Sequence, residues 1–245
     1  MSRFELSCDL GEASNPEEEE VERLLWNFID AANVACGGHA GDERSMRDAA
    51  RTAARLGTIL GAHPSYPDRE GFGRRKMAIS GVDLRRSIIE QVTFLHEIAG
   101  GEGTVVTRVK PHGALYNEAH EDRELAALIV EAVEAVDEHL AIVAAPGSAL
   151  IEAAREAGMA VIREAFIDRR YQGDGSLVPR SRDGAVLIDG DESVNQALGL
   201  VERGEVVTDL GEPFRIEFDT LVLHGDTPGA VARARRVREA LSMMR

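Results

Sequence analysis

A closed barrel of parallel strands and crossover helices is the fold this sequence predicts, and three observations predict it. Short β-branched or small apolar runs alternate with helical patterns about seven times along the chain, the mark of parallel strands joined by helices. Polar residues gather just after the apolar runs, where the C-terminal face of a β/α barrel would lie. And 245 residues suit one such barrel as a single unit. The expectation is one α/β domain over residues 1–245, a seven-stranded (β/α) barrel with an irregular elaboration at about 165–218. An open doubly wound sheet is the runner-up.

Phe4 to Cys8 reads as the first strand. Asn15 as N-cap, Pro16 at the first helical position and acids from Glu17 to Glu20 then start a helix. Leu24, Leu25, Phe28 and Ile29 give it an apolar stripe. Ala31 to Cys36 is a second strand; Asp42 caps the helix that follows, with Met46, Ala49, Ala50, Ala53 and Leu56 on one face and Gly57 as its stop. Thr58 to Leu60 leads into Gly61 to Arg75, GAHPSYPDREGFGRR, too rich in Gly and Pro for helix or strand. A helix from about Val82 to Ala99 turns Leu84, Ile88, Val92 and Leu95 inward.

Thr104 to Val109 is the fourth strand, and Leu125, Leu128, Ile129, Ala132 and Val136 are spaced for the next helix. Leu140 to Ala144 and Met159 to Arg163 are strands around a helix from Ala149 to Ala157. From Ala165 to Phe218 the alternation loosens: Val194 to Val201 is helical, and Val206–Val207 and Phe214 to Phe218 read as strands. Thr220 to Leu223 restores the pattern, and a basic helix to Leu241 follows.

Composition is that of a soluble globular protein, 44% hydrophobic and 29% charged. The net charge of −15 repels phosphate backbones, which argues against a nucleic-acid partner. The opening MSRFELSCDL lacks the apolar core of a signal peptide, and no apolar run reaches membrane-spanning length. Cys8 and Cys36 are expected to be reduced, buried thiols, and the protein cytoplasmic.

On this scheme Asp9 and Glu12, His39 and Asp42, His63 and Asp68, Lys110 and His112, Glu164 and Asp168, and His224 and Asp226 all follow strand ends. A lone histidine there would more often serve packing; four with flanking carboxylates at equivalent positions point to a site on this rim. His96, His120 and His139 fall in segments read as helical and are assigned to surface or packing roles. Two chemistries suit the rim set. Imidazoles and carboxylates would hold a divalent metal such as Mg, with Asp9, His39 and His63 as the ligands to consider. Alternatively, they would act as general acids and bases while Lys110 and the arginines hold anionic groups. Neither an HExxH nor a GxxxxGK[ST] pattern is present.

Seven blocks carry a resemblance: CDLGE at Cys8–Glu12, NVACGGHAGD at Asn33–Asp42, GAHPSYPDREGFGRR at Gly61–Arg75, VKPHGALYN at Val109–Asn117, EAFIDRRY at Glu164–Tyr171, LVPRS at Leu177–Ser181 and HGDTPGAV at His224–Val231. In order and over essentially the whole chain, they resemble the LamB/YcsF family, described as the A subunit of 5-oxoprolinase. The resemblance implies a barrel of the glycoside hydrolase/deacetylase type. It also implies ATP-dependent ring-opening of the small molecule 5-oxo-L-proline to L-glutamate, with ATP as co-substrate and with subunits B and C as partners. Ser7 stands where the family has Asn, Gly38 where it has an aromatic, Glu43 where it has Pro, and ASNPEEEE where it has a Gly-rich stretch.

Together these readings place catalysis on Asp9, Glu12, His39, His63, Lys110 and His112. Substrate binding falls to Asp68, Arg74, Arg75, Glu164, Asp168, Arg169, Arg170, His224 and Asp226. The alternatives are a stand-alone metal-dependent deacetylase or amidohydrolase, and a non-catalytic substrate-binding subunit.

Overall fold

The computed structural model describes residues 4–180 and 182–243; Ser181, the last residue of the LVPRS block, lies outside them, as do 1–3 and 244–245. Seven strands close into an all-parallel barrel: β1 (Glu5–Leu10), β2 (Ala31–Ala35), β3 (Ile59–His63), β4 (Val106–Val109), β5 (Ala141–Ala144), β6 (Val161–Phe166) and β9 (Thr220–His224), with β9 paired to both β1 and β6. The open sheet is thereby set aside. Helices α1 (Pro16–Leu25), α2 (Glu43–Leu56), α3 (Gly81–Gly101), α4 (Gly113–Glu121), α5 (Arg123–Glu134) and α6 (Ala149–Glu156) follow the first five strands. The elaboration carries α7 (Gly190–Arg203) and an antiparallel pair, β7 (Glu205–Val207) and β8 (Pro213–Arg215); α8 (Ala230–Met243) follows β9. No helix among the described residues is long and apolar enough to cross a membrane.

The helix starts are those the local chemistry specifies. The Asn15 side chain accepts from the amides of Glu17 and Glu18, with Pro16 behind it. Asp42 and Ser45 form a reciprocal cap on α2, and Gly57 ends that helix at φ 70°. Cys8 and Cys36 are free and buried.

Period two along β1 turns Leu6, Cys8 and Leu10 toward the hydrophobic core beneath the helices, and Glu5, Ser7 and Asp9 to the opposite face. That face is the lumen. β1 and β4 are not neighbours in the barrel, yet the Arg108 guanidinium meets Glu5 at 2.6 Å and the Lys110 amine meets Asp9 at 2.9 Å. The barrel is therefore apolar outside and polar inside, and its axis leads to the site.

Several expected boundaries move. Gly61 to His63, read as the start of the loop, belong to β3, with Gly61 paired to Asn33 on one side and Arg108 on the other. The glycine is required there, because a Cβ would lie 2.7 Å from Arg108 Cγ and 2.9 Å from Asn33 Oδ1. Glu164 lies inside β6, not after it. The single helix read around Leu125 is two, broken at Asp122, whose side chain caps α5 through the amides of Glu124 and Leu125. His139 lies in a turn, not a helix.

Candidate active site

Seven of the rim residues converge on the mouth of the barrel. Lys110, at the end of β4, continues the ladder by donating its amide to the Ala62 carbonyl. Its amine lies 3.0 and 2.9 Å from the two oxygens of Asp9 and 3.1 Å from Glu164 Oε2. All three side chains are buried. Burial opposes the Lys110 charge, but Asp9 and Glu164 more than offset it and hold the amine cationic, with its pKa above the ordinary lysine value. Burial likewise acts against the Asp9 carboxylate, and the neighbouring His63 and Lys110 reverse the effect, so it stays ionised. Glu164 moves the other way: burial raises its pKa despite Lys110. One cation thus joins two carboxylates of unequal acidity, an arrangement typical of functional clefts.

Beside this triad stand three imidazoles and Glu12. The rings of His39 and His112 stack 3.6 Å apart at 5°, and His63 stands edge-on to both. His63 Nδ1 lies 2.6 Å from the Lys110 carbonyl and His112 Nε2 lies 3.0 Å from the Phe72 carbonyl. Glu12 Oε1 sits 3.0 Å from His39 Nε2 and 3.3 Å from His112 Nδ1. Burial pushes the His63 pKa down to about 3 and lowers that of His39, so both rings are neutral at pH 7.

The loops are built to hold these groups still. The Glu22 carboxylate on α1 accepts from the amides of Gly11, Glu12 and Ala13 at 2.8–3.0 Å, clamping the turn that carries Glu12. Phe72 is the one non-glycine residue with positive φ among those described (53°), and its ring packs edge-on against His39 and His112. Such strain persists where surrounding contacts over-determine it. Gly38 lies against Gln91 and Ser65, whose side chains leave no room for a Cβ.

The remaining rim residues separate. His224 Nδ1 meets Asp168 at 2.9 Å, and its ring stacks on Phe166, over which Lys110 Nζ lies at 5.3 Å, so this pair flanks the triad. Arg74 and Arg180 share Asp226 at 2.5 and 3.4 Å, and Arg74 also lies over the Phe72 ring. Asp68 and Arg75 pair with each other within their own loop. Arg169 donates to the carbonyls of Val178 and Ala185, and Arg170 to that of Gly184 and to Glu192. These last four serve the loops in which they lie.

Three participants escaped the sequence reading. Asn33 donates to Asp9 Oδ1 at 2.9 Å; a lone amide in the apolar run AANVAC was the available signal. The Tyr116 hydroxyl is buried beside Glu164, and burial and that carboxylate raise its pKa; it sits one helical turn after His112, the spacing that shares a face. Glu22 carried no signal, because acids are abundant along α1.

Comparison with known proteins agrees across the chain. Residues 4–245 match the model of the LamB/YcsF family. A protein of Methylococcus capsulatus, named as the A subunit of 5-oxoprolinase, is 45% identical over 239 residues, covering 98% of this chain and 92% of the relative. One of the same name from Chloroflexus aggregans is 43% identical over 241 residues, covering 98% and 96%. The crystal structure of a lactam utilization protein from Thermus thermophilus superposes with a TM-score of 0.91 at 38% identity, covering 100% of this chain and 97% of the other.

Proposed function

Since the chain belongs to the LamB/YcsF family, we propose that it is the A subunit of a 5-oxoprolinase that opens 5-oxo-L-proline to L-glutamate. ATP is the co-substrate and subunits B and C are the partners. One water opens the activated ring and a second hydrolyses the acyl phosphate that results, while ATP, having given up its phosphoryl group, leaves as ADP. The observation that carries the reading is the buried Asp9–Lys110–Glu164 triad beside neutral imidazoles at the barrel mouth.

A lactam resists water because donation from its ring nitrogen makes the carbonyl carbon weakly electrophilic. ATP supplies activation by phosphorylating the carbonyl oxygen; one water then adds to the carbon and the C–N bond breaks, giving the amine and an acyl phosphate, which a second water hydrolyses to carboxylate and phosphate. The site answers each demand. Lys110, kept cationic, stabilises negative charge developing on the oxygen. Asp9, ionised and held by Lys110 and Asn33, orients the water. Glu164, whose pKa is raised, delivers a proton to the ring nitrogen as it becomes an amine. The substrate carboxylate is received by Arg74, one aromatic ring away from the imidazoles, and by Arg180, which shares Asp226 with it.

Glutamate release from 5-oxoproline is the test. Release is expected from this chain with B, C and ATP, and its loss with Asp9→Asn. A complete mixture that releases none rejects the reading. ATP-independent release by the chain alone would favour a stand-alone amidohydrolase, which the imidazole cluster also suits.

A further inference from the structure

The hydrogen bonding of the imidazole cluster leaves its centre short of a cation. A backbone carbonyl only accepts, so the 2.6 Å contact with the Lys110 carbonyl places a proton on His63 Nδ1. The 3.0 Å contact with the Phe72 carbonyl likewise places one on His112 Nε2. In the neutral form of each ring the other nitrogens, His63 Nε2 and His112 Nδ1, present lone pairs, and they face each other at 3.0 Å. Glu12 Oε1, also an acceptor when ionised, stands 3.3 Å from His112 Nδ1 and 3.7 Å from His63 Nε2. Three electron-pair donors thus aim at one point with no donor hydrogen among them. A single added proton bridges only one of the three pairs, whereas a metal ion accepts every lone pair together.

We propose that Glu12, His39, His63 and His112 hold one divalent transition-metal ion, zinc or a neighbour such as cobalt. One donor atom from each residue lies within 4.8 Å of all the others. The contacts among them, 3.0, 3.0, 3.3 and 3.7 Å, bracket the donor separation of about 3.3 Å that tetrahedral zinc with bonds of about 2.0–2.1 Å requires. His39 completes the set: its Nε2 points to Glu12, and its buried Nδ1 has no partner, so its tautomer is free to follow what Nε2 binds. The carbonyls of Lys110 and Phe72 serve as the outer partners that orient ligating imidazoles. Three nitrogens and one carboxylate suit zinc or cobalt better than magnesium, which prefers oxygen. Asp9 drops out of the expected ligand set, because Lys110 and Asn33 hold its oxygens. Bound there, the ion would polarise a carbonyl presented to the mouth.

The test needs no substrate and so stands apart from the ring-opening reading. The full chain, stripped with chelator at pH 7.5, is titrated with zinc by calorimetry and with cobalt by visible absorption. The expected result is one equivalent of either metal, cobalt bands characteristic of a nitrogen-rich low-coordinate site, and a higher melting temperature with zinc. His63→Ala and His112→Gln should each weaken zinc binding by more than the 10–100-fold typical of losing an outer partner, while Asp9→Asn retains one equivalent. Circular dichroism confirms that each variant is folded. Absence of saturable uptake by the folded wild-type chain overturns the proposal, as does uptake unchanged in both histidine variants.

Discussion

The two halves of the barrel mouth use the same residue types to opposite ends. On the side of β1 to β4, Asp9, Glu12, His39, His63, Lys110 and His112 all turn inward and touch one another. On the side of β6 and β9, most of the polar residues turn into their own loops: Arg169 and Arg170 bind backbone carbonyls, and Asp168 is taken up by His224. The first half has loops pinned by Glu22 and the strained Phe72; the second has some fifty residues of elaboration whose backbone groups need partners. The difference teaches that a charged residue at a strand end becomes chemical machinery only where its loop does not require it.

The sharpest way to break this comparison is to remove a charge from each half. Lys110→Met leaves Asp9 and Glu164 buried without their cation, and a loss of about 3–5 kcal/mol is expected from urea unfolding. An unchanged midpoint would mean that the triad is not electrostatically coupled. Arg169→Ala should cost less, about 2 kcal/mol for its charged hydrogen bonds. Limited proteolysis should then cut first within 165–218; first cuts elsewhere would contradict a structural role for this guanidinium.

Acid sharpens it further. Burial opposes the Asp168 charge, but His224 and its amide more than compensate, and the folded pKa lies below the ordinary value. A carboxylate lowered in the folded state stabilises above its unfolded pKa of about 4 and loses that contribution as pH falls through the folded value. Asp168→Asn should therefore flatten the fall in stability between about pH 5 and pH 3 relative to wild type; parallel curves would contradict this. The smallest effect belongs to the link between the halves. Arg74→Ala removes an exposed ion pair with Asp226 and should change stability by at most about 1 kcal/mol, yet raise the KM for 5-oxoproline. A KM that stays put would remove Arg74 from the substrate's path.

Much of this was legible in one dimension. Asn15–Pro16 and Asp42–Gly57 marked helix ends because capping depends on residues only a few positions apart. The seven converging residues were found because each closes or follows a strand run, and parallel strands bring all such ends to one face. Legibility failed where distant groups meet. Gly61 looked like loop because glycine is permissive, whereas it is in β3 to admit Arg108 and Asn33. Arg169 looked like an anion binder because nothing local announces that the Val178 carbonyl will reach it first.

By itself, then, the sequence determined the alternation of strands and helices, the helix caps and the list of polar strand ends, all products of short-range sterics and of hydrophobic periodicity. Only the closed barrel decided which of those polar groups would share a volume. Closure sets β1 across the lumen from β4, so Asp9 reaches Lys110 over a separation of 101 residues. Buried together where the effective dielectric is low, such groups must pair with one another, and that necessity, which no local stretch encodes, makes the site.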